Sequence, residues 1–197
     1  MMIDMIAFCS VAYPILDDIK ASITANHSMM IIGGRGHSHH IASADDDNML
    51  LREDESSNIP LQIACTQADT IDPAIVEFLI SCHLPSVTVQ NKFGLNALHI
   101  ALLNSKKPQL EIIKLLCEAS DYRCVLQKNK QKMLPIHFSL KSPRKTTVDL
   151  IEILLKEHAE KQLWMADTYG NLAIHQAVCN KHVDVDIVSL ILVSTYC

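Results

Sequence analysis

Aromatic residues are scarce in this 197-residue chain: one Trp, four Tyr and four Phe, 5% in all. Burial must rest on aliphatic side chains, and a 49% hydrophobic content supplies them. No uninterrupted apolar stretch reaches the ~18 residues of a membrane-spanning helix, so no membrane insertion is expected. Met1–Leu16 is apolar-rich, yet it lacks a basic start and carries Asp4, which argues against a secretory signal peptide. There is no C-x-x-C pair. The seven cysteines (Cys9, Cys65, Cys82, Cys117, Cys124, Cys179 and Cys197) show no paired spacing. That excludes a zinc ribbon or thioredoxin-like site and reads as reduced thiols of an intracellular protein, cytoplasmic or nuclear. A net charge of −5 is too weak to suggest a nucleic-acid partner. No Ser/His/Asp, Cys/His or paired-carboxylate constellation stands out, so neither an enzyme nor a cofactor is expected. Gly33-Gly34-Arg35-Gly36 lacks the lysine and spacing of a phosphate loop.

What is present is a repeat. Ile59-Pro60-Leu61-Gln62-Ile63-Ala64 returns as Asn96-Ala97-Leu98-His99-Ile100-Ala101, as Leu134-Pro135-Ile136-His137-Phe138-Ser139, and as Leu172-Ala173-Ile174-His175-Gln176-Ala177. Aligned on the second residue, the steps are 37, 38 and 38. A fixed period in this range signals stacked supersecondary units. Each unit precedes a second apolar block, at Ile75–Ile80, Ile112–Cys117, Leu150–Leu155 and Ile187–Leu192, with the spacing of a broad helical stripe. Between blocks lie turn residues: Asn91-Lys92-Phe93-Gly94, Asn129-Lys130-Gln131-Lys132 and Asp167-Thr168-Tyr169-Gly170. One repeat therefore reads as turn, short helix, loop, longer helix. Asp72-Pro73 offers an N-cap oxygen followed by proline at the first helical position. Lys107-Pro108 stands before the next second helix, and Thr147 and Asp184 are cap candidates for the last two.

These residues resemble the ankyrin repeat over about residues 58–197. The T-P-L-H-x-A signature is matched with His99, His137 and His175 at the histidine position, Gln62 in their place in the first repeat, and Pro60 and Pro135 at the proline position. Gly94 and Gly170 match the glycine of the hairpin tip, where the third repeat has Lys132. None of the four units has Thr at its first position, and the loop between the two helices is longer than the family's. The resemblance implies an all-α solenoid of four helix–loop–helix repeats, about 58–94, 95–132, 133–170 and 171–197. It implies structural histidines that bond neighbouring backbone and staple adjacent repeats. It also implies a non-catalytic protein-interaction module that binds on a concave face lined by hairpin tips and first helices. A targeting or scaffolding fragment of a larger protein is the alternative.

Outside the repeats, residues 1–24 are expected to be helical, as a degenerate capping repeat, and residues 25–57 to be a flexible linker rich in Gly, His and acid. Its His37-Ser38-His39-His40 cluster, with His27 nearby, raises a metal-binding alternative, although no cysteine or carboxylate completes a ligand set. Charge is uneven. Between Arg123 and Lys145 lie seven cations and no acid, and between Asp45 and Glu55 lie six acids and Arg52. The basic stretch centres on one tip, and Phe93 and Tyr169 stand on the flanking tips. Phe93, Lys128, Lys130, Lys132 and Tyr169 are therefore the expected contacts for a protein partner, an acidic one if this charge selects it. Ser142-Pro143-Arg144-Lys145 has the form of a proline-directed kinase site.

Overall fold

The computed structural model describes residues 50–195 apart from 105, 106, 108, 144 and 145. The expected N-terminal helix, the His37–His40 cluster and Gly33–Gly36 lie outside the described residues. Within them the chain is all-helical and contains no strand.

Helices α1 (Pro60–Cys65), α3 (Ala97–Asn104), α5 (Pro135–Lys141) and α8 (Ala173–Cys179) begin at the four motif units. Helices α2 (Pro73–Cys82), α4 (Leu110–Ala119), α6 (Val148–Leu155) and α9 (Val185–Ser194) carry the second apolar blocks. The first helices pack in series, α1 on α3, α3 on α5 and α5 on α8, and the second helices do likewise, α2 on α4, α4 on α6 and α6 on α9. Two helical layers result, with the core between them. Leu98 and Ile136 from the first layer meet Ile112, Ile113, Leu116, Ile151 and Leu154 from the second, all fully buried. A flat aliphatic layer of this kind needs no large rings.

Local chemistry explains the helix starts. Pro60 and Pro135 open α1 and α5, where the fixed φ suits the first turn and no N–H is lost. Asp72 Oδ1 accepts from Ala74 N–H at 3.0 Å with Pro73 opening α2, and Thr147 Oγ1 accepts from Leu150 N–H at 3.3 Å to cap α6. Asp184 occupies the N-cap position of α9. Helix α4 starts at Leu110 behind Gln109, whose side chain points back to the preceding repeat and donates to Ile71 O at 2.7 Å.

Two features depart from the sequence reading. Each second helix of the first two repeats is followed by a 3-10 turn, Leu84–Thr88 and Arg123–Leu126; in the third repeat an extra helix, α7 (Ala159–Trp164), takes this place. It is entered through His158 at φ +60° and anchored by fully buried Gln162, which donates to Leu154 O and Glu157 O. The second departure is at the start. Residues 54–57, assigned to the linker by their polarity, form a hairpin tip of the array.

Candidate functional site

Four hairpin tips share one hydrogen-bond pattern. In each, a side-chain oxygen at the first position accepts from the backbone N–H groups two and four residues on. Asn91 Oδ1 accepts from Phe93 and Leu95, Asn129 Oδ1 from Gln131 and Met133, and Asp167 Oδ1 from Tyr169 and Asn171, all at 2.8–3.0 Å. Asp54 does the same for Ser56 (2.7 Å) and Asn58 (2.8 Å). The fourth residue is left-handed each time: Ser57 at φ +56°, Gly94 at +76°, Lys132 at +57° and Gly170 at +81°. Ser57 and Lys132 thus pay a backbone strain that glycine avoids. Burial raises the pKa of Asp167, but the N–H groups of Asn171 and Tyr169 and the Asn171 amide outweigh it and hold the carboxyl below its ordinary value.

The tips are joined edge to edge. Lys92 N–H donates to Ser56 O (3.3 Å), Lys130 N–H to Phe93 O (3.1 Å) and Thr168 N–H to Gln131 O (3.0 Å). Gln90 adds a clamp, its side chain donating to Gly94 O (2.7 Å) and Lys128 O (3.0 Å). The approach is close: a Cβ on Gly94 would stand 2.8 Å from Lys130 N, whereas one on Gly170 would meet nothing within 4 Å.

Beneath the tips, the third residue of each first helix forms a polar ladder. Gln62 is fully buried. Its Oε1 accepts from Ile59 N–H (3.0 Å), and its Nε2 donates to Val89 O (2.8 Å) and Leu95 O (3.1 Å) at the next tip. His99, also fully buried, places Nε2 3.3 Å from Met133 O and Nδ1 2.7 Å from Asn96 Oδ1 and 3.4 Å from Asn96 N; a neutral ring has one proton for these contacts. His137 Nδ1 accepts from Leu134 N–H (3.2 Å), while its buried Nε2 closes no hydrogen bond. His175 Nδ1 accepts from Leu172 N–H (2.9 Å), and its ring is exposed. Burial pushes the His99 pKa down to about 4 against the pull of Met133 O, and lowers that of His137 against the backbone of Asn171. Both rings are therefore neutral at pH 7.

Where the signature has Thr, Asn96 supplies what Ile59, Leu134 and Leu172 lack. Its Oδ1 accepts from His99 N–H (2.9 Å), and its Nδ2 donates to Cys124 O (2.9 Å) and Gln127 Oε1 (2.7 Å).

A family model for ankyrin repeats, in three copies, matches residues 61–163, more than half of the chain. The chain is an ankyrin repeat protein. No curated protein matches it. Ankyrin arrays are protein-interaction modules and are generally non-catalytic. The fourth helix pair, α8 and α9, continues the array beyond the matched residues.

On this array, Phe93 (51% exposed), Lys128, Lys130, Lys132 and Tyr169 (82% exposed) all stand at the surface of three adjoining tips. The remaining cations of the basic stretch do not join them. Arg123 lies on a 3-10 turn, Lys141 ends α5 away from its tip, and Arg144 and Lys145 lie outside the described residues. Lys92 was missed by the sequence reading. It is exposed on the second tip, with Nζ 5.3 Å from the Phe93 ring centre and donating to Glu55 O at 2.6 Å. Among the described residues no group of three His, Cys, Asp or Glu could hold a metal, and no helix is long and apolar enough to cross a membrane.

Proposed function

We propose that the row of hairpin tips on the concave side is the partner-binding surface, and that the partner presents an acidic segment to it. The observation that carries this is the third tip: Lys128, Lys130 and Lys132, all exposed, between the exposed rings of Phe93 and Tyr169 on the adjoining tips. Backbone bonds from tip to tip preorganise the row, so little ordering entropy is lost on docking. Aromatic area beside clustered positive charge suits an interface hot spot with electrostatic steering. The free state of the five described cysteines fits a reducing, intracellular compartment.

Part of the acidic stretch is already committed. Asp54 holds its own turn through Ser56, Asn58 N–H and the Asn58 side chain. It is not free to fold over the lysines. The test is affinity capture on the intact chain, compared with Lys128→Glu, Lys130→Glu, Lys132→Glu and with a control reversal of exposed Lys114 on α4, Lys156 just after α6 and Lys161 on α7. The proposal expects the tip reversal to lose partners that the control retains, with wild-type binding weakening as salt rises. Equal retention by both variants refutes it.

A further inference from the structure

The four hairpin tips share one hydrogen-bond pattern, so their side chains can be compared place by place. Just before the residue whose oxygen holds the turn stand Glu53, Gln90, Lys128 and Ala166; just after it stand Glu55, Lys92, Lys130 and Thr168. The first tip thus presents carboxylates at the two places where the third presents ammonium groups. Glu53, Glu55, Lys128 and Lys130 are all exposed, and none is in an ion pair among the described residues. Lys132 adds a cation to the third tip, and Arg52 stands one place further from the turn on the first.

Within one chain the second tip keeps the two sets of charge apart. It is joined to both neighbours by the same bond, Lys92 N–H to Ser56 O on one side and Lys130 N–H to Phe93 O on the other. The two steps also match in sequence, 37 residues from Asp54 to Asn91 and 38 from Asn91 to Asn129. The acidic and basic tips therefore flank the second tip symmetrically. The exposed ring of Phe93 stands at that midpoint.

We propose that the tip row pairs, antiparallel, with the tip row of a second copy of this chain, about a two-fold axis at the second tip. The proposal rests on the tip row being the binding surface, and it names the acidic partner. Such an axis exchanges the first and third tips. Glu53 and Glu55 of each copy then meet Lys128 and Lys130 of the other, and the two Phe93 rings meet on the axis. A two-fold contact must be complementary to itself, and this distribution of charge is. Parallel pairing would set carboxylate on carboxylate and lysine on lysine, which electrostatic repulsion disfavours. A contact of a few side chains per tip belongs with transient interfaces, so the pairing is weak and salt-sensitive.

Sedimentation equilibrium of the full chain over a concentration series tests it. Wild type is expected to associate at low salt, with Kd rising about tenfold or more on going from ~0.05 M to ~0.5 M salt. Reversing one tip, by Glu53→Lys with Glu55→Lys or by Lys128→Glu with Lys130→Glu, should raise Kd about tenfold or more in either variant. An equimolar mixture of the two variants should recover association, because two basic tips of one then face two acidic tips of the other. A chain carrying both reversals should recover it alone. All four positions are exposed, so the variants keep the fold. The proposal is overturned by a wild type that stays monomeric, by association that either single-tip reversal leaves intact, or by variants that fail to recover on mixing. Partner capture separates this from the reading beneath it. A monomeric chain that still loses captured partners on reversal of Lys128, Lys130 and Lys132 ends the self-pairing and leaves the acidic-partner reading standing.

Discussion

Replacing His99 by Ala and by Gln separates a stapling role from mere occupancy of space. The ring is fully buried, its two nitrogens sit against Asn96 and Met133, and it packs edge-on to Phe138 with ring centres 5.3 Å apart. Alanine would leave a cavity and strand buried polar groups, at a cost of about 3–5 kcal/mol. Glutamine should do far better, because Gln62 already fills the equivalent place, accepting from the N-cap N–H and donating to the next tip. Loss of the aromatic contact leaves a deficit of about 1–2 kcal/mol at pH 7.5. The two variants also differ from wild type in pH dependence. With its pKa pushed down to about 4 in the folded chain and 6.5 as the ordinary value, His99 binds its proton more readily in the unfolded state. Its stabilising contribution is therefore complete above pH 6.5 and is lost as pH falls toward 4, about 3 kcal/mol in total. Glutamine does not titrate. His99→Gln should be less stable than wild type at neutral pH and overtake it below about pH 5.5. Urea unfolding at a series of pH values measures this. If His99→Gln costs as much as His99→Ala, or if the wild-type and Gln profiles stay parallel from pH 7.5 to 4.5, the staple is wrong.

Gly94→Ala should cost about 2 kcal/mol or more, because its Cβ collides with Lys130 N and disrupts the bond to Phe93 O; Gly170→Ala bears the left-handed strain alone, about 1 kcal/mol, and thermal melts rank the two. Lys132→Gly should stabilise by about 0.5–1 kcal/mol by relieving φ +57°, read as a rise in the urea midpoint. Thr147→Ala should cost about 1 kcal/mol by removing the cap of α6. Among the described cysteines, alkylation of the native chain should label Cys82 and Cys179 and spare Cys65, Cys117 and Cys124, with burial pushing the Cys65 thiol up to about 12; mass spectrometry of the labelled peptides checks it.

The repeat was legible because its chemistry is local in sequence. A proline or cap at a fixed place, a histidine two residues on and an apolar block with helical spacing can all be read without knowing what packs where. Tips ending in Gly94 and Gly170 announced themselves for the same reason. The tip at Asp54–Asn58 did not, because Ser57 takes the glycine's left-handed place and the surrounding acids look like a linker. Its first residue falls one repeat period before Asn91, a spacing that extrapolating the repeat would have found. Helix α7 was hidden because six residues carry too little periodicity, and buried Gln162 is recognisable as its anchor only once Leu154 O and Glu157 O are in place. Asn96 as a stand-in for Thr depends on Cys124 O and the Gln127 side chain, which only the fold brings to it, and the same holds for the gathering of Lys128, Lys130 and Lys132 on one tip apart from Arg123 and Lys141.

The tip row as the partner-contacting surface is tested most directly by site-specific photo-crosslinking in the bound state. One photoreactive residue is placed at exposed Gln131 on the third tip, another at exposed Glu152 on α6. Proteins retained by the wild-type array should crosslink from position 131 and not from position 152, and the tip lysine reversal should abolish the adduct. Crosslinking from position 152 alone would place the partner on the second-helix side and contradict the assignment.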